Sequence, residues 1–341
     1  MPLVYSKGAS MKPIVAIAPG DPTGVGPEVV AKLFSSAPVA DWCVPLIAAD
    51  RRVFDQGAAI AGVSVPYVVV SSPREAVKEG VIYLWDMPGA DPASYTLGAV
   101  NAKAAGYACD TLFACLDSLR EGTVKALAFG PLHKQAMRDA GHDFRDEHAM
   151  FAHHLGWKGM SDAVNMLDAV IAARVTSHVP FREIADHLTV ETILDAIRLA
   201  NRLLAQSGNA APRIAVSALN PHCGENGTCG REEIDVIAPA VAAARDEGID
   251  ATGPLPADTI CVQVFVRKRF DGIVSMFHDQ AQTGIKLIAN QRSITITGGL
   301  PFPVTTTSHG TAHDIAGKNM AATTSIEQAV RVAAKMAEHA P

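Results

Sequence analysis

The stretch KPIVAIAPGDPTGVGPEVVAKLF, residues 12–34, contains the first strand, turn and helix that the sequence predicts. Its apolar run PIVAIA is typical of a strand buried on both faces of a sheet. The run ends in a segment rich in glycine and proline, and Pro27 stands where the first turn of a helix accepts a proline. A buried strand that leads through a tight turn into a helix is the repeating unit of an α/β fold.

The same alternation continues along the rest of the chain. Further strand patterns are VKALAFG, DAVNMLDAV, AARVTSHVP, RIAVSALN and FDGIVSMFH. Helical patterns separate them, and the clearest cover residues 99–120, 190–206 and 232–248. Apolar strands separated by helices of this length predict a mostly parallel sheet with helices on both faces, which is a three-layer α/β/α fold.

Composition narrows the class of protein. The chain has 341 residues, of which 48% are hydrophobic and 19% charged, as in a compact enzyme rather than a disordered chain. A net charge of −6 gives no bulk attraction to nucleic acid or to an anionic membrane. Residues 1–11 lack the apolar core of a signal peptide and are expected to form a disordered extension of a cytoplasmic protein. The six cysteines contain no CxxC pair, and we expect them to be reduced.

Three histidines stand where predicted strands end. His178 follows AARVTS, His222 follows RIAVSALNP, and His278 follows DGIVSMF. Because the carboxyl ends of parallel strands share one edge of a sheet, these imidazoles and nearby Asp258 are candidates for a divalent metal site with open coordination positions. The alternative is that each histidine satisfies a local backbone carbonyl, and spacing alone leaves both interpretations open.

Two other polar segments are less specific. GDPTGVGPE, residues 20–28, could bind a phosphate through backbone amides at a helix start, but a plain strand-to-helix turn explains it equally well. DEHAMFAHH, residues 146–154, places His148, His153 and His154 on a predicted helix. These histidines are either functional or part of a solvated helix face.

Eight motifs together carry a family resemblance: GDPTGVGPE, GPLHK, SHVPF, NPHCGENG, GPLPADT, FHDQ, GLPFP and HGTAHDIAG. In this order and spacing they resemble the 4-hydroxythreonine-4-phosphate dehydrogenases of vitamin B6 synthesis, from about residue 12 to the end. The last motif is also similar to the loop that wraps the adenosine end of NAD in isocitrate and isopropylmalate dehydrogenases. The resemblance implies a homodimer of two-subdomain chains, with an active-site cleft between the subdomains that the partner subunit completes.

The resemblance also implies boundaries and roles. Residues 12–135 and 306–341 would form the subdomain with the cofactor loop, and residues 136–305 the subdomain with the metal site and dimer interface. The implied metal ligands, for zinc, magnesium, manganese or cobalt, are His178, His222 and His278. Lys286 and Asp258 are the implied catalytic residues, and Lys286 also binds substrate. The implied contacts to NAD or NADP are His309, Gly310, Thr311, Ala312 and Asp314.

The substrate pocket departs from the family pattern. Where the family reads GHTE, this chain reads DEHA, which puts Glu147 and His148 at the positions of a substrate-binding His-Thr pair. A shift of the alignment by one residue would instead restore a histidine to this position. The family's substrate-binding asparagine falls at Thr295 and its arginine at Val304. Because arginine is the preferred bidentate partner of phosphate or carboxylate, these changes are expected to weaken an anion site at these positions.

The leading hypothesis is therefore a metal-dependent, NAD(P)-linked dehydrogenase that oxidises, and decarboxylates, a small phosphorylated hydroxy acid. A second hypothesis is a catabolic relative that oxidises a cis-dihydrodiol carboxylate such as that from terephthalate. A metal-dependent hydrolase could use the same histidines to activate water. The HGTAHDIAG loop argues against a hydrolase, since a hydrolase has no use for a dinucleotide.

Overall fold

The computed structural model describes residues 11–159, 161–289 and 292–339. Twelve strands in these residues form one sheet in the order β3-β4-β2-β1-β5-β12-β11-β6-β7-β10-β8-β9. The strands are β1 Ile14–Ala18, β2 Val44–Ala49, β3 Val68–Val70, β4 Tyr83–Asp86, β5 Ala126–Phe129, β6 Asp162–Leu167, β7 Val170–Arg174, β8 Arg213–Ser217, β9 Asp250–Leu255, β10 Gly272–Ser275, β11 Ser293–Gly298 and β12 Val304–Thr307. The first ten residues of the expected N-terminal extension lie outside the described residues.

Helices cover both faces of this sheet, and the predicted three-layer α/β/α fold is confirmed. They are α1 Gly26–Ser36, α2 Val39–Trp42, α3 Arg51–Ala61, α4 Ala102–Arg120, α5 Lys134–Asp139, α6 Glu147–Leu155, α7 Val190–Gln206, α8 Ala238–Asp246, α9 Ala257–Cys261, α10 His278–Ala289 and α11 Thr324–Glu338. The predicted helix 190–206 is found with the same ends. None of the helices in the described residues combines the length and hydropathy needed to cross a bilayer.

The sheet is mostly parallel, but its centre is not. Strand β11 pairs antiparallel with both β12 and β6, and β6 pairs antiparallel with β7. Consequently β7, β10 and β8, which are mutually parallel neighbours, run opposite to β1, β5 and β12. The carboxyl ends of β7, β8 and β10, which lead to the three predicted histidine ligands, thus lie along the same side of the sheet, as predicted.

The apolar core is distributed differently on the two faces. One face carries a single large cluster that contains side chains from both halves of the sheet, for example Val15, Ile294 and Ile214. The other face carries two separate clusters, one around Phe129 and one around Ile273. Strands continue across the interval between these two clusters, so a polar cleft can form above the central strands without breaking the sheet.

Candidate active site

The floor of the cleft consists of polar side chains on the central strands. Because side chains alternate along a strand, the pairing of Thr306 with Thr295 and of Thr295 with Asn165 places all three on the face that carries the two separate clusters. Arg174 is on the same face, two residues beyond Ala172 of the cluster around Ile273. Helices α6 and α10 stand on either side, so the cleft has a polar floor between two helical walls.

At one end of this cleft His178 and His278 lie close together. Their ring centroids are 6.3 Å apart. His278 opens α10 instead of ending β10, and its Nδ1 donates to Asp279 Oδ1 at 2.7 Å. This carboxylate orients the ring and leaves Nε2 free to bind a ligand. Burial lowers the pKa of His178, and nearby Arg145 and Lys134 lower it further, which favours the neutral imidazole that a metal requires.

His222 lies in an unusual turn. Residues 222–226 all have positive φ, between 46° and 74°, which is the left-handed region that costs non-glycine residues free energy. The His222 side chain is 71% exposed, and its Nδ1 donates to Glu225 Oε1 at 3.0 Å. The hydrogen bond and charge of Glu225 raise the pKa of His222. The turn therefore presents this imidazole to solvent, again with a carboxylate at Nδ1.

Glu233 holds this turn in place. Its carboxylate is buried, with 3% of the residue exposed. Oε1 accepts from the backbone amides of Leu219 and Asn220 at 2.9 and 2.7 Å, and Oε2 accepts from Asn220 Nδ2 at 3.0 Å. A side chain at Gly224 would place its Cβ 2.7 Å from Glu233 Oε2, so the turn and the carboxylate fit closely.

We expect Glu233→Gln to lower the free energy of unfolding by about 1.5–3 kcal/mol, because it replaces charge-assisted hydrogen bonds and turns an amide donor toward another donor. Urea unfolding monitored by circular dichroism measures this change. Asp235→Asn is the matched control, since Asp235 is exposed on the following turn and contacts Arg231. A Glu233→Gln protein as stable as the control would show that the carboxylate does not support the turn.

The three predicted ligands do not meet within one chain. Among the described residues, no three histidine, cysteine or acidic side chains are close enough to hold one metal ion. The structure instead forms a pair, His178 with His278, and a separate group in which Asp258 lies near enough to His222 to raise its pKa. Within the described residues of one chain, His222 is therefore separate from the His178–His278 pair.

The predicted substrate contacts on α6 are partly internal. His148 is buried, and its Nδ1 is hydrogen-bonded to Thr297 Oγ1 at 2.8 Å. Burial lowers the pKa of His148, although the neighbouring Glu147 opposes this. Val304 is 0% exposed and belongs to the apolar cluster around Phe129, so the structure places it in the core and not on the cleft surface.

The other two histidines of the 146–154 segment have packing partners. His154 stacks on Phe113 with ring centroids 4.3 Å apart, and its Nε2 lies 3.2 Å from Asp117 Oδ1. His153 lies against Phe144 at 5.2 Å. These contacts favour the structural interpretation of both side chains.

The late loop around HGTAHDIAG is clamped to the first helix. Glu28 of α1 is buried and accepts from the amides of Gly317 and Ala321 at 3.2 and 3.4 Å. Lys32, one helical turn later, donates to the Ala321 carbonyl at 3.0 Å. Val25 donates its amide to the Thr311 carbonyl at 3.0 Å. The GDPTGVGPE segment thus serves as the docking surface of the loop, which favours its interpretation as a turn.

This loop borders an open cavity of about 410 Å³. Its lining includes His309, Gly310 and Ala312 of the predicted cofactor contacts, together with Lys286 of α10. Thr311 is buried and Asp314 is exposed, and neither lines the cavity. Lys286 therefore extends from the helix that begins at His278 to the cavity beside this loop.

Sequence reasoning missed three charged residues of the site. Glu28 was read only as the last residue of the GDPTGVGPE segment and the start of a helix, Glu233 only as part of a helical pattern, and Arg174 only as part of a strand. The one available signal was at position 174, where a charged residue ends an otherwise apolar run.

Comparison with known proteins finds similar dehydrogenases and a matching family model. Residues 41–333 match the family model described as pyridoxal phosphate biosynthetic protein PdxA. A 4-hydroxythreonine-4-phosphate dehydrogenase of Geobacter metallireducens is 38% identical over 335 residues, which cover 96% of each chain. The crystal structure of 4-hydroxythreonine-4-phosphate dehydrogenase from Klebsiella pneumoniae has a TM-score of 0.83 at 32% identity and covers 97% of this chain and 99% of its own. A terephthalate 1,2-cis-dihydrodiol dehydrogenase from Burkholderia xenovorans has a lower TM-score of 0.67 at 27% identity, covering 95% and 98% of the two chains.

Proposed function

The chain belongs to the PdxA family, and from this premise we propose that it oxidises the hydroxyl group of a small phosphorylated hydroxy acid with NAD or NADP and a divalent metal. Its relatives are dehydrogenases, so the protein is an oxidoreductase that acts on a CH–OH group. To this activity the proposal adds three further features: a bound metal, a nicotinamide cofactor and decarboxylation of the oxidised product.

The metal is proposed because His178 and His278 lie close together. A nitrogen–metal distance of about 2.1 Å puts each ring centroid about 3.2 Å from the ion, so two rings in a tetrahedral site have centroids about 5 Å apart. The two rings are 6.3 Å apart and would need to approach each other by about 1 Å to share one ion. His278 has its Nδ1 occupied by a carboxylate, as bound imidazoles usually do. The donor set, two imidazoles with a third available from His222, fits zinc or another first-row divalent ion.

Each group of the cleft has a distinct task under this proposal. A metal at the histidines would stabilise negative charge on the substrate oxygen as hydride leaves and as carbon dioxide departs. Lys286, which lines the cavity beside the loop, would bind the substrate and exchange a proton with it. The clamped loop with His309 and Gly310 would bind NAD or NADP beside that lysine.

We propose that the active protein is a homodimer, because the third ligand must come from another chain. His222 of the partner subunit would join His178 and His278 of the first. Large apolar side chains exposed on the segments near α9 and α10 support a subunit contact there: Val262, Val266, Leu287 and Ile288.

A substrate panel tests the proposed function. Formation of reduced nicotinamide is followed by absorbance with 4-hydroxythreonine 4-phosphate, 4-phosphoerythronate, 4-phosphothreonate and a cis-dihydrodiol carboxylate, each with and without added metal. We expect a phosphorylated acid to have the highest kcat/KM and a chelator to abolish turnover. The dihydrodiol as the best substrate would move the protein to the catabolic class, and no reduced nicotinamide from any compound would refute the dehydrogenase proposal.

A further inference from the structure

The guanidinium of Arg174 is held firmly on the cleft floor. It stands at the end of β7, where Nη2 donates to the Ala163 carbonyl at 2.9 Å and Nη1 donates to Asn165 Oδ1 at 3.1 Å. Nε donates to Ser177 Oγ at 2.9 Å. These three bonds tie the guanidinium to the adjacent strand β6 and to the residue just before His178. These contacts therefore fix the position of the guanidinium between β6 and Ser177.

This cation lacks a direct ionic partner. Within the parts of the chain that the structure describes, Arg174 forms no ion pair with a carboxylate, and Asp162 is linked to it through Ser177 Oγ, which donates to Asp162 Oδ2 at 3.2 Å. The neighbouring Arg145 differs, because its Nε contacts Asp146 Oδ2 at 2.7 Å. A partly buried charge without a paired ion costs free energy, so a bound anion would be stabilising here.

The donor count leaves room for such an anion. A guanidinium has five N–H groups, and the three bonds to Ser177, Asn165 and Ala163 leave one on each terminal nitrogen. Two N–H groups on adjacent nitrogens match two oxygens of one phosphate or carboxylate. Burial lowers the pKa of Arg174, but an arginine stays charged at any pH at which the enzyme works.

We propose that Arg174 binds the phosphate group of the substrate and is the specificity-determining residue of this cleft. The inference rests on the proposed function, since it assumes a phosphorylated substrate at the His178–His278 pair. Ser177, which accepts from Arg174, immediately precedes His178, so one small molecule can contact both ends of this segment. Arg174 thereby supplies on β7 the guanidinium that Val304, buried in the core, cannot supply from β12.

Kinetics with a matched pair of substrates test this role. 4-Phosphoerythronate and erythronate share their carbon skeleton and carboxylate and differ only in the phosphate. We expect Arg174→Gln to lower kcat/KM for 4-phosphoerythronate about 100-fold, as is typical for a lost charge-assisted contact, and to change kcat/KM for erythronate less than about 3-fold. Arg174→Lys keeps the positive charge but loses the planar guanidinium that can bind two oxygens at once. It should lower kcat/KM about 10-fold, again for the phosphorylated acid alone.

Arg245→Gln is the control variant. Arg245 also donates to a strand carbonyl, that of Ala251 at 2.7 Å, but it lies on α8, which packs on the opposite face of the sheet. It should behave as the wild type with both substrates. An equal loss for both substrates in the Arg174 variants would show that Arg174 acts on the carboxylate or on the fold, and would overturn the proposal.

A binding measurement separates this inference from the proposed function. Titration calorimetry of the metal-free protein with inorganic phosphate needs no turnover. We expect millimolar affinity in the wild type and in Arg245→Gln, and at least about 10-fold weaker binding in Arg174→Gln. A protein that oxidises none of the acids but shows this pattern would refute the dehydrogenase proposal and keep the phosphate site. Equal phosphate binding by wild type and Arg174→Gln, or none by the wild type, would refute the site.

Discussion

Replacing His222 with alanine is expected to abolish turnover and to reduce the metal retained after dialysis. Removing one of three imidazole ligands forfeits several kcal/mol of charge stabilisation, which corresponds to a loss of at least about 10³-fold in kcat. Metal content is measured by atomic absorption and turnover by nicotinamide absorbance. Because the His222 side chain is 71% exposed in the single chain, the substitution should leave the unfolding free energy of the monomer nearly unchanged.

The control for His222→Ala is His187→Ala, since His187 belongs to a short 3-10 turn after β7 and is no candidate ligand. It should retain metal and activity. Full activity of the His222→Ala protein, or of wild-type protein freed of metal, would contradict the ligand assignment.

The second large effect is the recovery of activity from two inactive proteins. His178 and His278 are neighbours in one chain, and His222 is separate from them. If His222 comes from the partner subunit, a mixed dimer of His222→Ala and His278→Ala chains has one site with both lesions and one site with none. Equal mixing with free subunit exchange should then restore about a quarter of the wild-type sites. Activity after mixing measures this fraction directly.

The structure supplies a matched negative control for this experiment. His178 and His278 contribute to the same site from the same chain, so a mixed dimer of His178→Ala and His278→Ala chains has a lesion in both sites. That mixture should stay inactive. Recovery in both mixtures would contradict the pairing of His178 with His278, and recovery in neither, with exchange shown by mass-tagged chains, would contradict the shared site.

Local sequence patterns were enough to predict the fold class and the candidate ligands. Apolar runs bounded by glycine and proline marked the buried strands, and helices between them required a layered α/β arrangement. The positions of His178, His222 and His278 after such runs predicted their shared edge. The motif HGTAHDIAG marked the loop whose His309 and Gly310 line a cavity. All of these follow from the order of residues over short distances along the chain.

Only the tertiary structure decided how these pieces combine. Strand β11 pairs antiparallel with β6, a strand far away in the sequence, so no local pattern showed this reversal at the centre of the sheet. The parallel pairing of β7 with β10 brings His178 to His278, while His222 stays separate from both. Tertiary packing also covers Val304 within the cluster around Phe129 and leaves Arg174 on the cleft floor, because an alternating strand specifies which side chains share a face but not what covers that face.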